Sequence, residues 1–191
     1  MRKLKYTNIL GFLFSLFLLV SCATNSTTNK SVAAKQPTTI EELINNKGSM
    51  TTALESLKHN FSVELLKNGV LSNNYVRISS LKLDNTPVIA AIVSTNVANP
   101  TFVDILRKAS TTPIGKMLFA KGADIHRRDD MKIIVLTVHD IDNSIIHKYL
   151  NSLGYNDSTR IVARNSEFYH QTETMSITEY VLPSMTKYFT K

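Results

Sequence analysis

Near the end of the chain lies the stretch Met175-Ser176-Ile177-Thr178-Glu179-Tyr180-Val181-Leu182-Pro183. Its apolar residues recur at every second position, which is typical of a β-strand with one face towards a core. That period puts Glu179 on the same face as Met175, Ile177 and Val181. A carboxylate therefore lies where a core side chain is expected, and a buried charge is costly unless it is paired or bound.

A second candidate strand, far upstream, carries the opposite charge on its inner face. Tyr75, Arg77, Ser79, Leu81 and Leu83 alternate along one side of it, and Arg77 is the only charged residue among them. Opposite charges on two inner faces predict either a structural ion pair or a small closed site for a polar anion. The sequence alone leaves both alternatives open.

Length and composition predict one domain with a real core. The chain has 191 residues, 43% of them hydrophobic, which suits one ordinary domain better than two. Its formal net charge is +7; without Arg2, Lys3 and Lys5 at the amino end, 19 basic residues face 15 acidic ones, a charge of +4. No basic block with interleaved aromatic residues occurs, so nucleic acid is not an expected partner.

The first 22 residues have the pattern of a lipoprotein signal peptide. The basic start is followed by an apolar run over residues 9–20, which has secretory rather than transmembrane length. Leu19-Val20-Ser21-Cys22 resembles the lipobox of bacterial lipoproteins, in which the cysteine becomes the lipidated first residue. We therefore expect a membrane anchor at Cys22, a flexible tether over residues 23–39 and a location on the periplasmic or cell-surface side. The alternative is an uncleaved apolar anchor with an incidental cysteine; in either case the single cysteine permits no internal disulfide.

Capping and turn signals divide the rest of the chain into short helices and paired strands. Thr39 and Glu42 fit a capping box for a first helix, and Ser49 can cap a second one over about 50–58. Asn68-Gly69 is a turn signal. Strands are expected at about 61–66, 75–83, 88–94, 131–138, 160–168 and 175–182, and helices at about 99–109, 117–119 and 141–153. Hairpin-paired strands with helices between them predict an α+β fold, an antiparallel β-sheet with helices packed against it.

Cofactor and metal motifs are not found in the sequence. Its six glycines are scattered, so no phosphate-binding loop is expected, and its five histidines include no His-x-x-x-His pair. Asp140-Ile141-Asp142-Asn143 lacks the glycine and the closing glutamate of a calcium loop, and we expect it to cap the helix that follows. His126-Arg127-Arg128-Asp129-Asp130 is typical of a solvated turn; the alternative is that one of its arginines closes an anionic site. No cofactor and no metal are therefore expected.

Several segments share their order and approximate spacing with one enzyme family. They are Ser49-Met50-Thr51, Arg77 ahead of Asp84-Asn85-Thr86-Pro87, Thr112-Pro113-Ile114-Gly115-Lys116-Met117-Leu118-Phe119, and Thr178-Glu179-Tyr180-Val181-Leu182-Pro183. Together they resemble chorismate lyase over residues 40–183, within an expected domain of 40–191. The resemblance implies a chorismate-lyase-like fold. It also implies a lyase that eliminates pyruvate from chorismate to give 4-hydroxybenzoate, a step of ubiquinone biosynthesis that needs no cofactor.

The resemblance also assigns roles to particular positions. Met50 corresponds to a methionine that lines the ligand pocket from a helical flap, and Arg77 to an arginine that grips a carboxylate of the ligand. Ile114 falls where the family has a leucine whose main chain contacts the ligand. Glu179 is similar to a glutamate that meets the hydroxyl end of the ring. Arg77 and Glu179 are thus the expected catalytic residues, and the strand period places both on inner faces without reference to the family.

Some features of the chain depart from the family pattern. Gln171-Thr172-Glu173-Thr174 replaces a turn that usually contains Gly and Pro, and residues 140–160 look like an inserted helix. An exported domain would also be separated from chorismate, which is made in the cytosol. One alternative is a non-catalytic lipoprotein that binds an aromatic carboxylate in the same pocket. Another is a protein–protein module in which Arg77 and Glu179 form a structural ion pair. We expect a monomer.

Overall fold

A computed structural model describes residues 36–189 of the chain. Their helices and strands, in chain order, are α1 (Ile40–Ile44), α2 (Met50–Ser56), β1 (Phe61–Leu71), β2 (Asn74–Leu83), β3 (Thr86–Asn96), α3 (Pro100–Ala109), α4 (Ile114–Leu118), β4 (His126–Arg127), β5 (Lys132–Thr137), α5 (Ser144–Ser152), β6 (Arg160–His170) and β7 (Glu173–Val181). Short 3₁₀ segments follow β5 (Val138–Asp140) and β7 (Pro183–Tyr188). The expected signal peptide, Cys22 and the tether up to residue 35 lie outside the described residues.

The strands form one seven-stranded antiparallel sheet in the order β1-β2-β3-β7-β6-β4, and β5 pairs along the same edge of β6 as β4. β7 lies in the middle, between β3 and β6. β7, which contains the stretch that begins at Met175, therefore joins the meander β1-β2-β3 to the group formed by β6, β4 and β5. The predicted fold class is confirmed: α+β, with an antiparallel sheet and helices packed against it.

Helices cover both faces of this sheet. α1 and α2 pack on one end of the first face, and α3 and α4 pack on its other end, through fully buried side chains such as Leu54 and Phe102. On the opposite face, α5 buries Ile146 and Leu150. Burying one such side chain contributes about 1.5–3 kcal/mol. Within residues 36–189, no helix is both long and apolar enough to cross a membrane.

The first hairpin turns later than the sequence suggests. Asn68 and Gly69 lie within β1, and the chain reverses at Ser72, whose φ is 54°. A register shift between Leu65 and Lys67 marks a β-bulge in the pairing of β1 with β2. Gly69 has a φ of 149°, which glycine adopts without steric cost. Pairing with β2 over the whole strand thus overrides the local turn signal.

A side chain from β7 caps the amino end of α3. Asn99, the residue before the helix, makes no capping hydrogen bond with its side chain. The Glu173 carboxylate instead accepts hydrogen bonds from the backbone N–H groups of Thr101 (3.0 Å) and Phe102 (3.3 Å) and from the Thr101 hydroxyl (2.9 Å). Negative charge is favourable at a helix start. Glu173 belongs to the segment that departs from the lyase pattern, and here it ties the central strand to α3.

We expect Glu173→Ala to lower the free energy of unfolding by about 1–2 kcal/mol, because the start of α3 loses charged hydrogen bonds. Urea denaturation measures the change. Glu167→Ala is a matched control, since Glu167 is 40% exposed and ion-paired with Arg128 on the surface, where such pairs contribute about 0–1 kcal/mol. Equal losses for the two variants would contradict a capping role for Glu173.

Candidate functional site

A cavity lies between the first face of the sheet and a roof formed by the amino end of α2 together with α4. Its floor includes Arg77, Val93, Ile177 and Glu179 from neighbouring strands. The space open to the centre of a water molecule is about 30 Å³, which is room for about two waters. The cavity is therefore small, with an apolar floor that carries a few charged side chains.

Strand register places the charges of this floor in two adjacent rows. In one row Ser79 pairs with Ala91, Ala91 with Glu179, and Glu179 with Arg164. In the next row Arg77 pairs with Val93. Directly opposite residues lie about 4.5–5.5 Å apart and point to the same face. Glu179 therefore has Arg164 as its direct cross-strand neighbour, whereas β3 separates it from Arg77.

Arg77 is buried without a carboxylate partner. Its side chain is 1% exposed, and no carboxylate within residues 36–189 lies within 4.0 Å of its guanidinium. Its Nη1 donates to the Ser79 hydroxyl (3.1 Å), and its Nη2 donates to the carbonyl oxygens of Ser110 (3.0 Å) and Thr112 (3.2 Å). Its Nε has no acceptor among the described residues. Burial lowers the pKa of the Arg77 guanidinium below its usual value.

Glu179 forms its ion pair with Arg164. Arg164 Nε lies 2.8 Å from Glu179 Oε2, and the two residues are 3% and 9% exposed. The Nε–H bond of Arg164 does not point at an acceptor, so the contact is electrostatic more than a well-aligned hydrogen bond. Burial raises the pKa of the Glu179 carboxyl, while the guanidinium groups of Arg164 and Arg127 act in the opposite direction. The alternative of an ion pair between Arg77 and Glu179 is wrong, because the strand register places Glu179 directly opposite Arg164, with which it pairs.

Two arginines hold the loop that leads into α2. Arg164 donates from Nη1 to the carbonyl oxygen of Asn46 (2.8 Å) and from Nη2 to that of Gly48 (3.5 Å). Arg127 Nη1 donates to the same Gly48 oxygen at 3.4 Å. Burial and the charge of Arg164 lower the pKa of Arg127, and Glu179 and Asp129 oppose that shift. The segment expected to be a solvated turn therefore contains β4 and places Arg127 against the edge of the roof.

The roof closes at a tight contact between α4 and the start of α2. A Cβ atom at position 115 would collide with Ser49 Oγ and lie 3.1 Å from Thr51 Oγ1. Only glycine lets the two elements approach this closely. The Ser49 hydroxyl also caps α2 by accepting from the backbone N–H of Thr52 at 3.3 Å, as its sequence position predicts. Gly115 is therefore what allows the roof to seal.

The structure brings together every residue that the sequence nominated for the pocket. Met50, Arg77, Ile114 and Glu179 all line this one cavity; their roles stay predictions. Sequence reasoning missed Arg164, although Val162, Arg164, Ser166 and Phe168 alternate along β6 in the same manner as the residues around Arg77. Within the described residues, no group of three His, Cys, Asp or Glu side chains is placed to hold a metal ion.

Comparisons with known proteins return likenesses among solved structures. No family model matches the chain, and no curated protein matches it. The C-terminal domain of the histidine utilization repressor from Pseudomonas syringae is 9% identical, with a TM-score of 0.46, covering 66% of this chain and 94% of that one. YydK from Bacillus subtilis, named as a possible transcriptional regulator, is 9% identical, with a TM-score of 0.47 and coverage of 66% and 59%. The ligand-binding domain of a GntR-family transcriptional regulator from Bordetella bronchiseptica is 10% identical, with a TM-score of 0.44 and coverage of 64% and 86%.

These findings correct the family expected from the sequence. The structures just named belong to transcriptional regulators rather than lyases, so membership of the chorismate lyase family is wrong. Lyase activity on chorismate, with 4-hydroxybenzoate and pyruvate as products and a place in ubiquinone biosynthesis, is wrong with it. The site offers a physical reason, since Arg164 occupies the carboxylate of Glu179 that the lyase assignment needs for the ligand. Nothing in the comparisons supports the lipoprotein assignment, and Cys22 lies outside the described residues.

Glu179→Gln should change how stability depends on pH. Because burial raises the folded pKa of Glu179 above its unfolded value of about 4.5, this carboxyl favours the folded state most when it is protonated. Its contribution is fully present below the unfolded pKa and is lost as pH rises through the folded pKa. We expect the Tm advantage of the parent over Glu179→Gln to shrink from about pH 4.5 upwards.

The control for this experiment is Ser176→Ala, an exposed and non-titrating change on the same strand. Its Tm difference from the parent should stay constant across the same pH range. A parent advantage over Glu179→Gln that grows with rising pH would show that the carboxyl is better stabilised as an anion in the folded protein.

Proposed function

We propose that this domain binds a small organic anion in the cavity, with Arg77 holding the anionic group, and that it does so without catalysis. The observation that carries the proposal is the buried guanidinium of Arg77, which has no carboxylate partner within residues 36–189 and an Nε without an acceptor. A buried cation is stable when a counter-ion or ligand compensates it. A planar carboxylate matches the fork of a guanidinium.

The rest of the lining indicates the body of such a ligand. Val93, Ile177, Leu118 and Phe168 present hydrocarbon to the same space. Small-molecule sites are commonly apolar with a few placed polar groups. We therefore infer an amphipathic carboxylate, with the anionic end at Arg77 and an apolar body against the remainder of the floor.

The state of Glu179 supports binding without catalysis. A general acid or base has to reach the proton that it transfers. The Glu179 carboxylate is instead held at 2.8 Å by Arg164 in the neighbouring strand. A ligand at Arg77 would meet a carboxylate that is already engaged, so the site offers recognition and no free proton-transfer group at this position.

Ligand entry requires the roof to move. About 30 Å³ is open in the closed cavity, whereas drug-sized ligands occupy pockets of roughly 300–1,000 Å³. The contact between Gly115 and Ser49 is where the two halves of the roof meet. Separation at this seam enlarges the cavity without disturbing the strands of the floor.

A structural role for Arg77 is the second candidate. Its Nη2 bridges the carbonyl oxygens of Ser110 and Thr112, and so joins β2 to the segment between α3 and α4. In this alternative Arg77 stabilises the fold and binds no ligand. Ligand titration separates the two candidates because only the first gives a response that depends on a carboxylate.

The position of the domain in the cell belongs to the same proposal. The lipobox at Leu19–Cys22 supports a lipid anchor at Cys22, a tether over residues 23–39 and a periplasmic or cell-surface location, with no nucleic acid as partner. An anion-binding domain in that position would respond to solutes outside the inner membrane, which suits a non-catalytic lipoprotein better than a cytosolic enzyme.

The test uses the full chain and a set of carboxylates, each beside its uncharged amide: benzoate with benzamide, and hexanoate with hexanamide. We expect at least one carboxylate to raise the Tm in a saturable way while its amide does not, because ligand that binds only the folded state stabilises it. Arg77→Met should remove this response. Arg160→Met, which changes an exposed arginine of β6, should keep it. The proposal fails if no carboxylate stabilises the parent, or if Arg77→Met responds as the parent does.

Gly115→Ala tests the seam. The new methyl group displaces the Ser49 hydroxyl from its cap, so we expect a loss of about 1–3 kcal/mol in the free energy of unfolding, as for overpacked sites, together with faster ligand association. The double variant Ser49→Ala/Gly115→Ala has no Ser49 Oγ for the new methyl group to collide with. Its loss of unfolding free energy should therefore be smaller than the sum of the losses of the two single variants. Strictly additive losses in urea denaturation would show that the two positions do not press on each other.

A further inference from the structure

β5 leaves one edge of the sheet open. Within residues 36–189, this strand pairs with β6 alone, from Lys132 opposite Asn165 to Thr137 opposite Arg160. At every second residue of β5, the backbone N–H and C=O groups therefore point away from β6. Within the described residues, these groups have no strand partner. Such an edge is a template for pairing with another strand.

The side chains of β5 are as unusual as its edge. Ile133, Ile134 and Val135 are consecutive and are 38%, 53% and 57% exposed. Ile133 and Val135 point to the cavity face, opposite Arg164 and Val162, and Ile134 points to the α5 face. Both faces of the strand therefore expose apolar surface. Proteins usually protect open edges with charges, proline or bulges, and Ile133–Leu136 has none of these.

The opposite edge of the same sheet carries protecting features within its paired strand. β1 carries a register shift between Leu65 and Lys67. It also holds Glu64, whose carboxylate lies 2.9 Å from Lys82 Nζ. A bulge and charged side chains disfavour addition of another strand. On the β5 side, the register towards β6 shifts by two residues between Arg127 and Lys132, and Lys132 is exposed. The unprotected apolar stretch is therefore Ile133–Leu136.

We propose that β5 pairs in antiparallel fashion with β5 of a second copy of this chain, about a two-fold axis through Ile134. Directly opposite residues then share a face. Ile134 meets Ile134 of the second copy, and Ile133 meets Val135 of the second copy. Each exposed apolar side chain is thus covered by one of its own kind, and the two sheets become one continuous sheet with matching faces. This proposal replaces the expectation of a monomer and does not depend on ligand binding.

The choice of axis follows from the residues around the strand. A shift by one pairing position, to an axis through Val135, sets Ile133 against Thr137 and so places an apolar side chain opposite a hydroxyl. An axis through Ile134 instead sets each exposed residue of Ile133–Val135 opposite another apolar one. An axis between Ile134 and Val135 would set the cavity face of one sheet beside the α5 face of the other.

Cysteine cross-linking of the full chain tests this arrangement. Opposite residues of an antiparallel pair have Cα atoms about 4.5–5.5 Å apart, within the range of about 4.4–6.8 Å that a disulfide spans. Ile134→Cys should therefore form a disulfide-linked dimer under mild oxidation, read on a non-reducing gel. The matched control is Val70→Cys, because Val70 is 56% exposed on the other edge strand, and both variants keep Cys22. We expect at least about tenfold more dimer from Ile134→Cys, since a disulfide forms where the cysteines are held within bonding distance.

A second change separates strand pairing from chance collision. Val135→Lys, added to Ile134→Cys, places a charge opposite Ile133 of the second copy and should abolish the cross-link, whereas Val70→Lys in the same background should leave it intact. Equal cross-linking at positions 134 and 70 overturns the proposal. So does cross-linking of Ile134→Cys only to a chain of a different size, and so does a cross-link that survives Val135→Lys.

Discussion

The structure depends on the position of β7 between β3 and β6. This central strand carries Glu179 on its inner face, and the register of its two neighbours sets Ala91 on one side of the carboxylate and Arg164 on the other. The described lining of the cavity therefore contains two buried arginines, Arg77 and Arg164, and one carboxylate, that of Glu179. The ion pair with Glu179 compensates the charge of Arg164, whereas Arg77 contacts only carbonyl and hydroxyl oxygens among the described residues. The positive charge of Arg77 is uncompensated because β6, which carries Arg164, lies next to β7, whereas β2, which carries Arg77, does not. The strand order therefore makes the Arg77 end of the cavity positively charged.

The sequence predicts the local parts of this arrangement and not the long-range ones. A period of two is sufficient to place Arg77 and Glu179 on inner faces, because strand geometry fixes the direction of each side chain. The partner of Glu179 depends on the register of β6 against β7, which is set by the turn at Gln171-Thr172. Gln171 has a φ of 52°, a conformation for which turn sequences usually carry Gly or Asn. The turn therefore gives no recognisable signal, and Arg164 could not be assigned to Glu179 from the chain alone.

The closure of the cavity is likewise a tertiary property. Gly115 carries no local sign of its role, since it lies in α4 with ordinary helical neighbours, and only the approach of Ser49 makes its missing side chain necessary. The same holds for Glu173, which belongs to a strand by its sequence position and acts on a helix in space. A family resemblance drawn from short segments nominated side chains that line one cavity. The chemistry that it assigned to them was wrong, because chemistry depends on what each charged group already contacts.

The shared carbonyl of Gly48 has a consequence for how an anion arrives. While the roof is closed, this oxygen accepts from both Arg164 and Arg127, so part of their positive potential is neutralised by the loop. If the roof lifts as proposed for ligand entry, that oxygen is withdrawn and the floor presents a stronger positive field to solution. Oppositely charged solutes are drawn into such a field before any contact is made. In that proposal, an anion would be attracted to the open form by long-range electrostatics.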